Sequence, residues 1–228
     1  LLFNEAAPAI PSDSRAQINT PQVQKISQMV SALEEASPFN FISPELPPAH
    51  HPKALDYFFA VTLQQFSFWT EQNNRYHQPL LAPLGGVMQK GAFYLFAAYS
   101  RQRESDPDFF SPERQANLSR KELLDVFRSD DGLDPMPALA LHLELAQQYG
   151  RYMPALHLTP ETVLQKAQAS AAPLRTLISI LDTIGGYKED PLRKKSGLLA
   201  LILNQRPESF LNFGKDEQVE PVIDYHLM

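Results

Sequence analysis

The chain has 228 residues, 43% of them apolar, enough for one large domain or two small ones around a real core. Its 20 Lys and Arg against 26 Asp and Glu leave a formal charge of −6, the wrong balance for coating long nucleic acid, whose binders draw affinity from neutralised phosphates. Cysteine is absent, which excludes disulfides, iron–sulfur clusters, thiolate nucleophiles and cysteine zinc sites.

No stretch approaches the roughly 18 uninterrupted apolar residues of a membrane span, and the first residues lack the charged-then-apolar layout of a leader. The expectation is a cytoplasmic protein with no membrane partner. The sequence opens LLFNEAAPAI and stops at Leu227-Met228 within an apolar run. Natural C-termini are usually polar and frayed, so the expectation is a fragment lacking C-terminal helices.

Many of the 20 prolines fall near the start, as in Pro44-Glu45-Leu46-Pro47-Pro48, so residues 1–50 read as a Pro-rich segment with one helix. That helix is expected over Gln22–Glu35, where Val23, Ile26, Met29, Val30 and Leu33 recur at helical spacing. Residues 51–228 read as one helical domain. From Pro52 to Glu71, Leu55, Phe58, Phe59, Leu63 and Phe66 predict a buried helix ending at an aromatic cluster. Gly85-Gly86 punctuates, and Gly91–Arg103 is a second apolar helix.

Ser111-Pro112-Glu113 opens a helix, and Ser119-Arg120-Lys121-Glu122 is a capping box leading into Leu123, Leu124, Val126 and Phe127. Further helices are predicted over Pro137–Tyr149, closed by Gly150, from Thr159-Pro160-Glu161 to Ala169, over Pro173–Ile184, and over Pro191–Leu203. A polar loop, Asn204–Val219, follows. No run alternates cleanly beyond four residues, so the predicted fold class is all-α or nearly so.

Three stretches carry candidate chemistry. Gln65-Phe66-Ser67-Phe68-Trp69-Thr70-Glu71 sets three aromatics, including the sole Trp, beside polar groups. A core patch is the plain reading; a stacking wall with polar edges for a flat heterocycle is the functional one. Asp190-Pro191-Leu192-Arg193-Lys194-Lys195 puts cations at a helix N-terminus, where they oppose the dipole. That is either a solvated basic face or, with free N–H groups, an anion site. Val222-Ile223-Asp224-Tyr225-His226-Leu227 places a carboxylate in apolar surroundings, so Asp224 is either a satisfied cap or ion pair or a working group. No His spacing suggests a metal site, and no elbow motif suggests Ser-His-Asp catalysis.

Taken together, Thr62 to Gln72, Phe127-Arg128-Ser129-Asp130, Arg193-Lys194-Lys195 followed by Leu198-Leu199, and Ile223-Asp224-Tyr225-His226-Leu227 resemble the queuosine salvage proteins, queuosine 5′-phosphate N-glycosidases. The resemblance runs from about Glu45 to the end, with FSFWTE its most specific element. Thr62 and Gln65 depart from it, since members often carry Asp or Asn there.

The resemblance implies a helical bundle similar to helix-hairpin-helix DNA glycosylases, which place a Lys and a later Asp in one pocket, as Lys194 and Asp224 are arranged here. It implies a small-molecule substrate whose products are queuine and ribose 5-phosphate, with no cofactor or metal.

N-glycosidic cleavage develops positive charge at C1′ and the ring oxygen, which a carboxylate in a low-dielectric site stabilises. On this pattern Asp224 stabilises or attacks the cation, while the base stacks on Phe68 or Trp69, with Phe66 a further substrate-binding candidate. Lys194, with Arg193 and Lys195, holds the 5′-phosphate or orients Asp224. Glu71, Asp130, Tyr225 and His226 are further candidates for base or ribose hydrogen bonds. A DNA-base glycosylase and a non-catalytic helical module binding a modified base are the competing expectations.

Overall fold

A computed structural model describes residues 19–33, 39–220 and 222. The chain divides into two units, Leu1–Phe39 and Asn40–Met228. In the first, α1 spans Thr20–Ser31, started by the Asn19 side chain accepting from the Gln22 N–H and by a proline in the first turn. Val23, Ile26, Met29 and Val30 are exposed on it, as is Leu33 just past its end.

The second unit opens with a loop and α2, Ala54–Thr62, whose Tyr57, Phe58, Phe59 and Val61 are buried. Here the structure corrects the sequence reading, which carried this helix to Glu71. The chain leaves the helix after Thr62 because Gln64 turns its side chain into the core and Ser67 adopts a left-handed backbone (φ 55°). Trp69 therefore stands in a strand.

Two antiparallel hairpins follow, which make the fold mostly helical and not purely all-α. β1 (Trp69–Gln72) pairs with β2 (Arg75–Pro79), and β3 (Leu81–Leu84) with β4 (Val87–Lys90). Their loops, Asn73-Asn74 (φ 53° and 57°) and Gly85-Gly86 (φ 63° and 76°), have positive φ at both central residues, the backbone that matches strand twist in a two-residue hairpin. The Asp130 carboxylate accepts from the Gly85 and Gly86 N–H groups (3.1 and 2.8 Å), and its own N–H donates to Pro83 (3.0 Å).

Six helices complete this stretch of the chain: α3 (Ala92–Ser105), α4 (Pro112–Ala116), α5 (Arg120–Val126), α6 (Leu139–Ala155), α7 (Pro160–Gln168) and α8 (Pro173–Leu181). The capping box at α5 forms as predicted: Ser119 caps the Glu122 N–H while Glu122 accepts from Ser119, and these bonds with Arg114 hold its carboxyl down to about 2.

Gly150 does not end α6. A Cβ there would stand 2.1 Å from the Ala116 nitrogen and 2.5 Å from the Pro112 oxygen, so glycine lets α4 and α6 meet backbone to backbone.

The last helix, α9, spans Lys194–Gln205, later than predicted, because Asp190 to Leu192 form a turn and Arg193 is left-handed (φ 51°). At its far end the buried Arg206 guanidinium donates to Phe41 (2.7 Å), Pro47 and Pro48 (each 3.2 Å) and pairs with Glu208 (2.8 Å), tying the 41–48 loop to α9. The fold is mostly helical with two small hairpins, and among the described residues no helix is long and apolar enough to cross a membrane.

Candidate functional site

The turn after α2 and the start of α9 meet. Lys194 Nζ donates to the Gln65 carbonyl at 3.2 Å, and Lys195 Nζ lies 4.8 Å from the Phe66 ring centroid while donating to Gly186 (3.2 Å). Two of the predicted cations are thus brought onto the first part of the predicted aromatic wall. Arg193 turns elsewhere, forming a two-pronged pair with Asp182 (3.2 and 2.7 Å). The Asp190 carboxylate caps the new helix by accepting from the Lys195 N–H (2.8 Å), offsetting the unfavourable placement of cations at a helix start.

Phe66, Phe68 and Trp69 are each partly exposed. Phe68 is held by its carbonyl, which accepts from Leu80 (2.7 Å), and lies against Gly91. Trp69 sits in β1 opposite Pro79, its ring 6.2 Å from Tyr76. Glu71 is exposed on the same strand, facing Tyr76 across the ladder. Asp130 grips the tip of the second hairpin. Asp224, Tyr225 and His226 lie outside the described residues. Val222 packs, with Val219, 3.6 Å from the point a Gly197 side chain would occupy on the first turn of α9.

Sequence reasoning missed His142 and Gln64. The His142 imidazole is fully buried, stacks on Phe66 (4.2 Å, 19°), and shares a 2.6 Å hydrogen bond with Gln64 Oε1. Burial and the Lys195 charge hold its pKa down at about 3, so it is neutral. Burial also lowers the Lys195 ammonium against the pull of Asp190 and Glu189. The only sequence signal was a lone His among the leucines of LALHLEL, which reads as core. Gln65 Nε2, His142 Nε2 and Ser196 Oγ are buried without a protein partner among the described residues, an unusual concentration around one junction.

This junction combines an aromatic face, two ammonium groups and a low-dielectric floor, suited to a flat base attached to an anion. The family model described as queuosine salvage protein matches residues 46–195, well over half of the chain. The chain belongs to that family. A role in queuosine salvage follows, and the matched span includes Phe66, Phe68, Trp69, Glu71, Asp130, Arg193, Lys194 and Lys195. No curated protein matches the chain.

Proposed function

We propose that the chain is an N-glycosidase that hydrolyses queuosine 5′-phosphate to queuine and ribose 5-phosphate. The observation that carries this reading is the Lys194–Gln65 contact, which puts a cationic helix start beside the aromatic run within the span matched by the queuosine salvage family. The base stacks on Phe68 or Trp69, with Phe66 at the edge of the site and Glu71 and Asp130 as further polar contacts. The 5′-phosphate is held by Lys194 with Lys195, and Arg193 supports the turn through Asp182.

Asp224 is the carboxylate of this mechanism, with Tyr225 and His226 beside it in sequence as contacts to sugar or base. Val222, two residues earlier in the sequence, lies against Gly197, three positions from Lys194. In this reading the Asp224 charge stabilises the oxocarbenium-like state at C1′ or attacks it, and a water completes hydrolysis. The likeness to helix-hairpin-helix glycosylases, with their Lys and Asp in one pocket, belongs to the same reading.

Incubating the full chain with queuosine 5′-phosphate tests it. Queuine and ribose 5-phosphate are expected in equal amounts by mass spectrometry; intact substrate bound without turnover would turn the reading toward a binding module.

A further inference from the structure

We infer that His142 is a positioning residue for this site: it sets the plane of Phe66, and through that ring the seat of the Lys195 ammonium, so that the phosphate meets a preset cation. The inference rests on the queuosine 5′-phosphate reading above.

The geometry orients the imidazole from two sides. Gln64 Nε2 donates to the His142 carbonyl (3.4 Å), which leaves Oε1 as the acceptor facing Nδ1 (2.6 Å) and so places the imidazole proton on Nδ1. The opposite carboxamide orientation would set two oxygens against each other. Phe127 meets the imidazole edge to face (6.2 Å, 62°). An imidazole fixed this way offers one flat face, and Phe66 lies on it nearly parallel.

Phe66 needs that support. It belongs to no helix or strand, and the next residue, Ser67, holds a left-handed backbone that only surrounding contacts maintain. The ring in turn carries Lys195 Nζ at 4.8 Å, a cation–π contact that strengthens when water is excluded. His142 touches neither base nor phosphate in this scheme. It acts through Phe66 alone.

A preset cation on a phosphate remote from the reacting bond contributes equally to ground-state and transition-state binding, so its loss raises KM and leaves kcat. Two variants separate the flat face from the hydrogen bond. His142→Asn keeps a donor for Gln64 and removes the face; KM for queuosine 5′-phosphate is expected to rise at least about tenfold with kcat within about threefold. His142→Phe combined with Gln64→Leu keeps a face and removes both members of the buried bond. Its KM is expected within about threefold of wild type.

Should His142→Asn fail to fold, His142→Leu with Gln64→Leu fills the space without a flat face and takes its place. Variants with lowered Tm but unchanged KM well below Tm overturn the inference, as does a His142→Phe/Gln64→Leu protein whose KM is as high as that of His142→Asn. A wild-type chain that neither releases nor binds queuine removes the substrate reading and this inference together, an outcome distinct from wild-type release with indifferent variants.

Discussion

Lys194 donates its ammonium proton to the carbonyl of Gln65 across 3.2 Å, and that bond joins the start of α9 to the turn that ends α2. Residues 129 positions apart thereby share one polar junction. The bond also fixes where a positive charge sits relative to the Phe66 ring.

The first prediction concerns that charge. Lys194→Ala is expected to raise KM for queuosine 5′-phosphate by about 10- to 100-fold, as loss of a charge-assisted bond of about 1.5–3 kcal/mol implies. Queuosine without its phosphate should be affected less than threefold, roughly the scatter of a lost uncharged contact. Equal losses on both substrates, measured by steady-state kinetics, would remove phosphate binding from Lys194.

The contact between α4 and α6 gives a second. Gly150→Ala forces a methyl group against the Ala116 and Pro112 backbone, which has no flexible side chain to yield. Overpacking of this kind costs typically about 1–3 kcal/mol, and for a chain of this size that lowers Tm by about 2–4 °C per kcal/mol. Differential scanning calorimetry should show a fall of about 5 °C or more, within the roughly 2–12 °C that these values span. An unchanged Tm would mean the two helices do not touch at Gly150.

The third is a pH dependence. His142 is neutral in the folded protein, its pKa held at about 3 against the ordinary 6.5. The unfolded chain therefore binds a proton below about pH 6.5 that the folded protein refuses until about pH 3. Stability is complete above pH 6.5 and falls as the pH drops, by about 1.4 kcal/mol per unit for one proton. Denaturation at about pH 7.5 and pH 5 should show about 2 kcal/mol lost by the wild type beyond any loss in His142→Phe/Gln64→Leu. Identical slopes in the two proteins would mean that His142 titrates normally.

Much of the helical skeleton was legible because its signals are local. Ser119 and Glu122 announce α5, and Thr159-Pro160 announces α7, since caps are chosen by the orphan amides they satisfy. The hairpins were not legible by alternation, because strands of four or five residues hold too few periods; Asn73-Asn74 was the signal, through its positive φ.

Phe66 continues the helical spacing of α2, yet Gln64 and Ser67 end the helix first through bonds and backbone that spacing does not encode. Gly150 misled for a similar reason: its demand comes from Ala116 on another helix. At the site, family resemblance singled out Lys194 and the aromatic segment but paired Lys194 with Asp224 and not with the Gln65 carbonyl, and His142 depends on a stack between residues 76 positions apart.

The central claim is that Asp224 supplies the carboxylate for glycosidic cleavage at this junction. Asp224→Asn in the full chain, assayed for queuine release from queuosine 5′-phosphate, tests it most directly. The expected result is a fall in kcat of at least about 10²-fold with substrate binding retained by calorimetry, as loss of transition-state electrostatics requires. An Asp224→Asn protein that releases queuine at the wild-type rate would contradict it.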